Sequence, residues 1–317
     1  MKTFEDICRM TQQGVKEYMH AYLVECGYSP TSEDGFLYAK GTIPVLLVAH
    51  MDTVHKELCK EIKNLNGKWT SPQGIGADDR AGIFIIMNLV KELKCSVLLC
   101  EDEEIGTIGA KKFAKTDYVK NLDVNYMIEF DRKGSNDAVF YSCDNPEFTN
   151  FVTDFTGFKK AYGSCSDISV LMPASGIAAV NLSSGYYNAH TLTEYVVYDE
   201  MLDTIEAAKL LIREECEKPF EYIERKYTYE PSRYFGSGDY ERQHYYNDIF
   251  SMPAYKDEAL YRTAKKDKEI ELEVIVDVED TEEVLYVSAA SKAECWMDFF
   301  MDNPDICWND VVDYTWC

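Results

Sequence analysis

The stretch PVLLVAHMD (44–52) is nearly all apolar until it reaches His50, Met51 and Asp52. A neutral imidazole is a good zinc ligand, and a carboxylate beside it can fix its tautomer and orientation. SVLLCEDEEIGTIGA (96–110) repeats the pattern, with an apolar run passing straight into Glu101, Asp102, Glu103 and Glu104. Four adjacent carboxylates repel one another, so they need either water or a cation. GIGADDRAG (74–82) sets Asp78 and Asp79 between small residues, NYMIEFD ends on Glu129 and Asp131, and GYYNAHTLTEY carries His190.

Each signal alone has a structural explanation. A histidine after a strand is commonly structural, Asp78 or Asp79 could cap a helix, and an acidic turn could sit in water. Together they form an ordered set, each member at or just after a strand expected to be central. Ligands in open α/β sheets bind at the carboxyl ends of strands. Oxygen and imidazole donors without thiolate favour Zn, Mn or Co over a structural cysteine-zinc site.

The elements that must position these residues are legible from periodicity. Apolar spacing predicts a helix over 3–24, and the strand GFLYAK follows it. PVLLVAH and SVLLC read as strands covered on both faces, with RAGIFIIMNLVKELK (80–94) a largely buried helix between them. NYMIEF (125–130), AVFYS (138–142) and GIAAVNLS (176–183) are further strands, and helices are expected at 107–115, 146–156 and 195–214. The alternation predicts a three-layer α/β/α sandwich with a mostly parallel mixed sheet over residues 1–215. Residues 216–317 differ in character. A Tyr-rich connector leads to KEIELEVIVDVED and EEVLYVSA, expected to pair as a hairpin, and the last aromatic-rich stretch could supply a covering helix. This reads as a small acidic α+β unit.

In order, HMDTV, GADDRAG, EDEEIGTIGA, EFD and NAHTLTEY resemble the co-catalytic di-zinc exopeptidases, a clan that includes peptidase T and carboxypeptidase G2 type enzymes and related aminopeptidases. The resemblance covers roughly residues 35–215. It implies that His50, Asp78 and Asp131 hold one divalent ion, with Zn expected and Co or Mn as alternatives. Asp78, Glu104 and His190 would hold a second, Asp78 bridging. It further implies Glu103 as general base, Asp52 as the carboxylate orienting His50, and a cis peptide at 78–79. Asp131 is preferred to Glu129 because it lies nearer the strand end. SCSDIS (164–169) is similar to the clan's Gly-Gly-Ser/Thr-Asp turn, which makes Asp167 a supporting residue, and Glu194 is another. Glu101 and Asp102 receive no role beyond exposure or local hydrogen bonding.

The net charge of -24 argues against binding nucleic acid or an anionic membrane. No apolar run approaches the ~18 residues that span a bilayer, and the N-terminus lacks a signal-peptide core. Eleven cysteines, an odd number without a Cys-x-x-Cys pair, read as reduced thiols of a cytoplasmic protein.

The resulting expectation is hydrolysis of a small peptide or amide. The interval from Asp131 to His190 leaves no room for the lid domain of peptidase T-like enzymes, which points towards an aminopeptidase. An amidohydrolase or deacylase acting on N-acyl amino acids is the alternative. A non-catalytic metal-binding protein is the third reading, and Glu103, which need hold no metal, argues against it. The connector 219–255 either covers the cleft or packs on the side of the domain.

Overall fold

The apolar runs form the middle of an eight-stranded sheet. In the computed structural model of the chain, the residues described are 2–214, 216, 218–225, 270–278, 281–289 and 311–316. Two compact units are present, Met1–Tyr229 and Glu230–Cys317. The first begins with α1 (Phe4–Cys8), α2 (Gln12–Glu25), β1 (Thr31–Glu33), β2 (Phe36–Ala39), β3 (Ile43–His50), β4 (Lys63–Leu65) and β5 (Lys68–Thr70). It continues with α3 (Ala77–Glu92), β6 (Cys95–Cys100), α4 (Ile108–Phe113), α5 (Asp117–Lys120), β7 (Tyr126–Arg132), β8 (Asp137–Val139) and α6 (Pro146–Thr156). Then come β9 (Lys159–Ala161), α7 (Asp167–Ser175), β10 (Ala179–Ser183), β11 (Tyr186–Tyr187), β12 (Tyr195–Val197) and α8 (Tyr198–Arg213).

The main sheet runs β1-β2-β6-β3-β7-β10-β8-β9. Its four central strands are parallel, with β2 antiparallel to β6 on one flank and β8 antiparallel to β10 on the other. Residues 45–50 of β3 and all of β6 are buried, as a strand covered on both faces requires. Helices α1, α3 and α8 pack on one face, and α4, α5 and α7 on the other. This is the mixed, mostly parallel α/β/α sandwich expected.

Register brings the strand ends level. His50 pairs with Cys100, one residue before the acidic run, and Val48 pairs with Glu129. Two residues further along each of those strands stand His50 and Asp131, so the carboxyl ends of β3, β6 and β7 deliver imidazole and carboxylates to one edge.

Three expectations change. The helix over 3–24 is two helices, because Thr11 turns out as a cap whose side chain accepts the Gly14 N–H, and Arg80 Nη2 donates to the freed Met10 carbonyl at 3.1 Å. The helix over 195–214 starts three residues later, since Tyr195–Val197 pair with β5 and β11 in a second sheet, β11-β12-β5-β4. Tyr-Val-Val suits a strand better than a helix start. The third concerns the second unit, an antiparallel sheet in which β13 (Ile270–Val278) pairs with β14 (Thr281–Ala289), the expected hairpin, and with β15 (Val311–Trp316). Residues 311–316 form a third strand that the sequence pattern does not announce, and 291–310, where a covering helix is expected, lie outside the described residues.

The described start of the Tyr-rich connector stays on the first unit. Phe220 is buried against Tyr126 and Phe148, its N–H donates to the Asn125 carbonyl, and its carbonyl accepts the Ala178 N–H. These contacts lie at the amino ends of β7 and β10, opposite the carboxyl edge. The remaining connector residues to 255 lie outside the described residues.

Candidate metal centre

The five residues expected to bind metal converge as two groups of three donors, His50–Asp78–Asp131 and Asp78–Glu104–His190, with donor atoms within 4.8 Å in each group. Asp78 belongs to both. Its Oδ1 lies 3.1 Å from His50 Nε2, and its Oδ2 lies 3.2 Å from His190 Nε2. Glu104 Oε2 is 3.1 Å from that same His190 nitrogen, and Asp131 Oδ1 is 3.6 Å from His50 Nε2. One carboxylate therefore offers one oxygen to each group.

Local backbone explains how adjacent acids take different tasks. The Asp78–Asp79 peptide is cis, and both residues depart from helical angles at the start of α3. Asp79 points back and accepts the Gly82 N–H at 2.8 Å and the His50 N–H at 3.2 Å, so it caps the helix while Asp78 faces the site. A Cβ on Gly82 would meet Asp79 Oδ1 at 2.5 Å and the Phe130 carbonyl at 2.7 Å, so only glycine lets this turn lie against β7. Arg80 is buried and donates to the Met51 carbonyl, fixing the backbone between His50 and Asp52.

Asp52 Oδ1 lies 3.1 Å from His50 Nδ1 and accepts the Glu103 N–H at 3.0 Å, while Oδ2 accepts the Glu104 N–H at 3.0 Å. Asp131 is held on both sides, by Tyr186 Oη to Oδ1 and Ser166 Oγ to Oδ2, each at 3.0 Å. The Asn181 side chain brackets its backbone, accepting the Asp131 N–H and donating to its carbonyl, where β10 shifts register against β7. Glu129 is buried one step deeper, has an unpartnered Oε2, and belongs to neither donor group.

The charges left by this arrangement show that a cation fits. Two carboxylates within 4.8 Å repel by about 3–4 kcal/mol at an effective dielectric near 20. Without a metal, protons offset that repulsion. Asp78 first and Glu104 next push His190 up to about 11. Burial works against charge on His50, yet Asp131, Asp52 and Asp78 outweigh it and raise its pKa. Burial pushes Asp131 up to about 6, with Asp78 adding to the effect. Glu104 Oε1 is buried with no hydrogen-bond partner. An acceptor-only carboxylate in that condition has the donor chemistry of a zinc ligand.

Several residues in this network give little signal in the sequence. Glu101, expected to be exposed or locally bonded, instead pairs with Lys16 of α2 at 2.9 Å and accepts the Gly35 N–H at 2.8 Å. Asp102 does bond by its side chain, but to Gln12 of the same helix at 3.0 Å. Ser166, rather than its neighbour Asp167, touches Asp131, and both side-chain oxygens of the fully buried Asp167 lack a hydrogen-bond partner of ordinary geometry. Tyr186 and His55 were not expected in any role. Glu194 is fully buried beneath the loop leading to Asp78.

A parallel-centred α/β sandwich with paired carboxylate–imidazole donor groups at its carboxyl edge defines a metal-dependent hydrolase. Residues 38–209, more than half of the chain, match peptidase family M28, and the chain belongs to that family. No curated protein matches it in sequence. Among solved structures it is similar in fold to the aminopeptidase PepT from Bacillus cereus, at 15% identity and TM-score 0.57, over 66% of this chain and 96% of that one. A tripeptidase from Staphylococcus aureus aligns over 67% of this chain and 97% of its own, at 14% identity and TM-score 0.54. The aminopeptidase APDkam598 from Desulfurococcus kamchatkensis aligns over 66% and 93%, at 13% identity and TM-score 0.53. Among the described residues no helix is long and apolar enough to cross a membrane, and the described cysteines are free.

Proposed function

We propose that this metal-dependent exopeptidase is an aminopeptidase that uses two zinc ions. His50, Asp78 and Asp131 would hold one ion, and Asp78, Glu104 and His190 the other. The observation that carries this reading is Asp78, whose two oxygens each face a different imidazole. When bound, such ions supply acidity, lowering the pKa of a water from 15.7 towards about 7 and polarising a carbonyl.

The chain's own residues supply the proton traffic. Glu103 adjoins the ligand Glu104 but belongs to neither donor group, so its carboxylate is available to take a proton from the attacking water and pass it to the departing amine. Burial first, then Asp131, Asp167 and Glu104, push Glu103 up to about 9 in the metal-free chain, against the opposing pull of His50. Added positive charge in the site would lower it into the range where a base works. Asp52 holds the backbone of Glu103 and Glu104 and orients His50, so the base and one ligand from each group depend on a single carboxylate.

Between β7 and His190 the described chain builds only β8, α6, β9, α7, β10 and β11, which supports a site without an inserted lid. The solved structures of similar fold carry the names aminopeptidase and tripeptidase. Free cysteines fit a reducing, cytoplasmic setting. The test is a substrate panel on zinc-loaded protein, comparing peptides with a free amino terminus against their N-acetylated counterparts. Cleavage of the free-amine series is expected; preference for the N-acyl series would make the protein a deacylase.

A further inference from the structure

Glu194 lies four residues after His190 and is completely buried. Its Oε1 accepts the Asp78 N–H at 2.9 Å, and its Oε2 accepts the Gly76 N–H at 2.8 Å. The remaining partner of Oε2 is His55 Nε2, at 2.6 Å, and an acceptor-only carboxylate requires that this nitrogen donate. The His55 side chain is only 7% exposed. Its ring lies flat against Gly74, where a Cβ would meet His55 Cε1 at 2.1 Å and Nδ1 at 2.2 Å. Thr70 Oγ1 donates to the Glu194 carbonyl at 3.1 Å, tying the same residue to β5.

These contacts join three segments. His55 comes from the loop after β3, Gly74 to Asp78 from the turn that leads into the start of α3, and Glu194 from the loop that carries His190. His190 itself has φ +66°, the left-handed region, and its side chain is 55% exposed, so the placement of its loop decides how it meets Asp78 and Glu104. Glu194 is the charged residue that fixes this loop to the backbone of Asp78.

We propose that His55 and Glu194 are positioning residues that form a clamp beneath the second donor group, setting the distance between Asp78 and His190. The inference rests on the two-ion reading above. Because Asp78 serves both groups but His190 only one, loosening the clamp acts unequally. The Asp78–Glu104–His190 group loses affinity, while His50–Asp78–Asp131, which Asp52, Arg80, Tyr186 and Ser166 hold from other sides, is largely kept.

The experiment is calorimetric titration of the chelated full-length protein with Zn2+, using wild type, His55→Gln, Glu194→Gln and Gly74→Ala. His190→Ala identifies the binding event that belongs to the second group, and circular dichroism reports folding. A wild type that binds fewer than two ions would refute the two-ion reading itself, whatever the variants do. Given two ions, the clamp predicts that His55→Gln and Gly74→Ala weaken the His190-dependent event roughly 10–100-fold, the range for residues supporting a metal ligand. The other event should stay within about threefold, and combining His55→Gln with Glu194→Gln should cost less than the sum of the two. Unchanged affinities, or equal weakening of both events, would overturn the proposal. If Glu194→Gln does not fold, the His55 and Gly74 variants decide the matter.

Discussion

Asp52 ties His50 to Glu103: the oxygen 3.1 Å from His50 Nδ1 also accepts the Glu103 N–H at 3.0 Å. Its second oxygen accepts the Glu104 N–H at 3.0 Å, so a carboxylate outside both donor groups positions residues of each. Burial opposes its ionisation, yet the His50 ring and these two N–H donors outweigh burial and lower its pKa. Asp52→Asn would turn an amide donor towards one of the three. Zinc affinity is expected to fall about 10–100-fold, measured by titration of the chelated protein.

Glu103 differs from Glu104 in belonging to neither donor group. Glu103→Gln should therefore retain the full metal content, read by elemental analysis, while turnover falls about 10²–10⁴-fold. Retained turnover would remove Glu103 from the chemistry.

Asp131 and Glu129 share a strand two residues apart, yet only Asp131 stands within reach of His50. Asp131→Asn should abolish one binding event in a zinc titration, and Glu129→Gln should leave both. The reverse result would move the ligand one step down the strand.

Lys16 and Glu101 form an ion pair whose side chains are 10% and 13% exposed. Lys16→Met strips the charge partner from a largely buried carboxylate and should cost roughly 1–3 kcal/mol in chemical denaturation. Glu101→Gln in the same chain should recover part of that loss, because the orphaned charge is gone.

These cases also show which parts of the molecule the sequence reveals. His50, Glu104 and Asp131 are legible because each comes at or after the end of an apolar run, and Asp78 because it stands just before a buried helix whose period fixes where that element begins. His190 is legible through the stretch NAHTLTEY. Lys16, by contrast, sits within an amphipathic helix and reads as a surface residue, since its partner is brought in by tertiary packing. His55 lies in an irregular loop and meets Glu194 only after the second sheet forms. That sheet is built from strands of two or three residues, too short to leave a period. The division of Asp78 and Asp79 into ligand and helix cap is likewise a property of the turn, not of residue type, since either aspartate alone could cap.

The most direct measurement is peptide cleavage followed while zinc is returned to chelated wild-type protein. A tripeptide with a free amino terminus should not be cleaved by the metal-free chain, and activity should rise to its maximum at two zinc ions per chain. Full cleavage by the metal-free chain, or a maximum reached at a single ion with no second binding event, would contradict the shared role of Asp78.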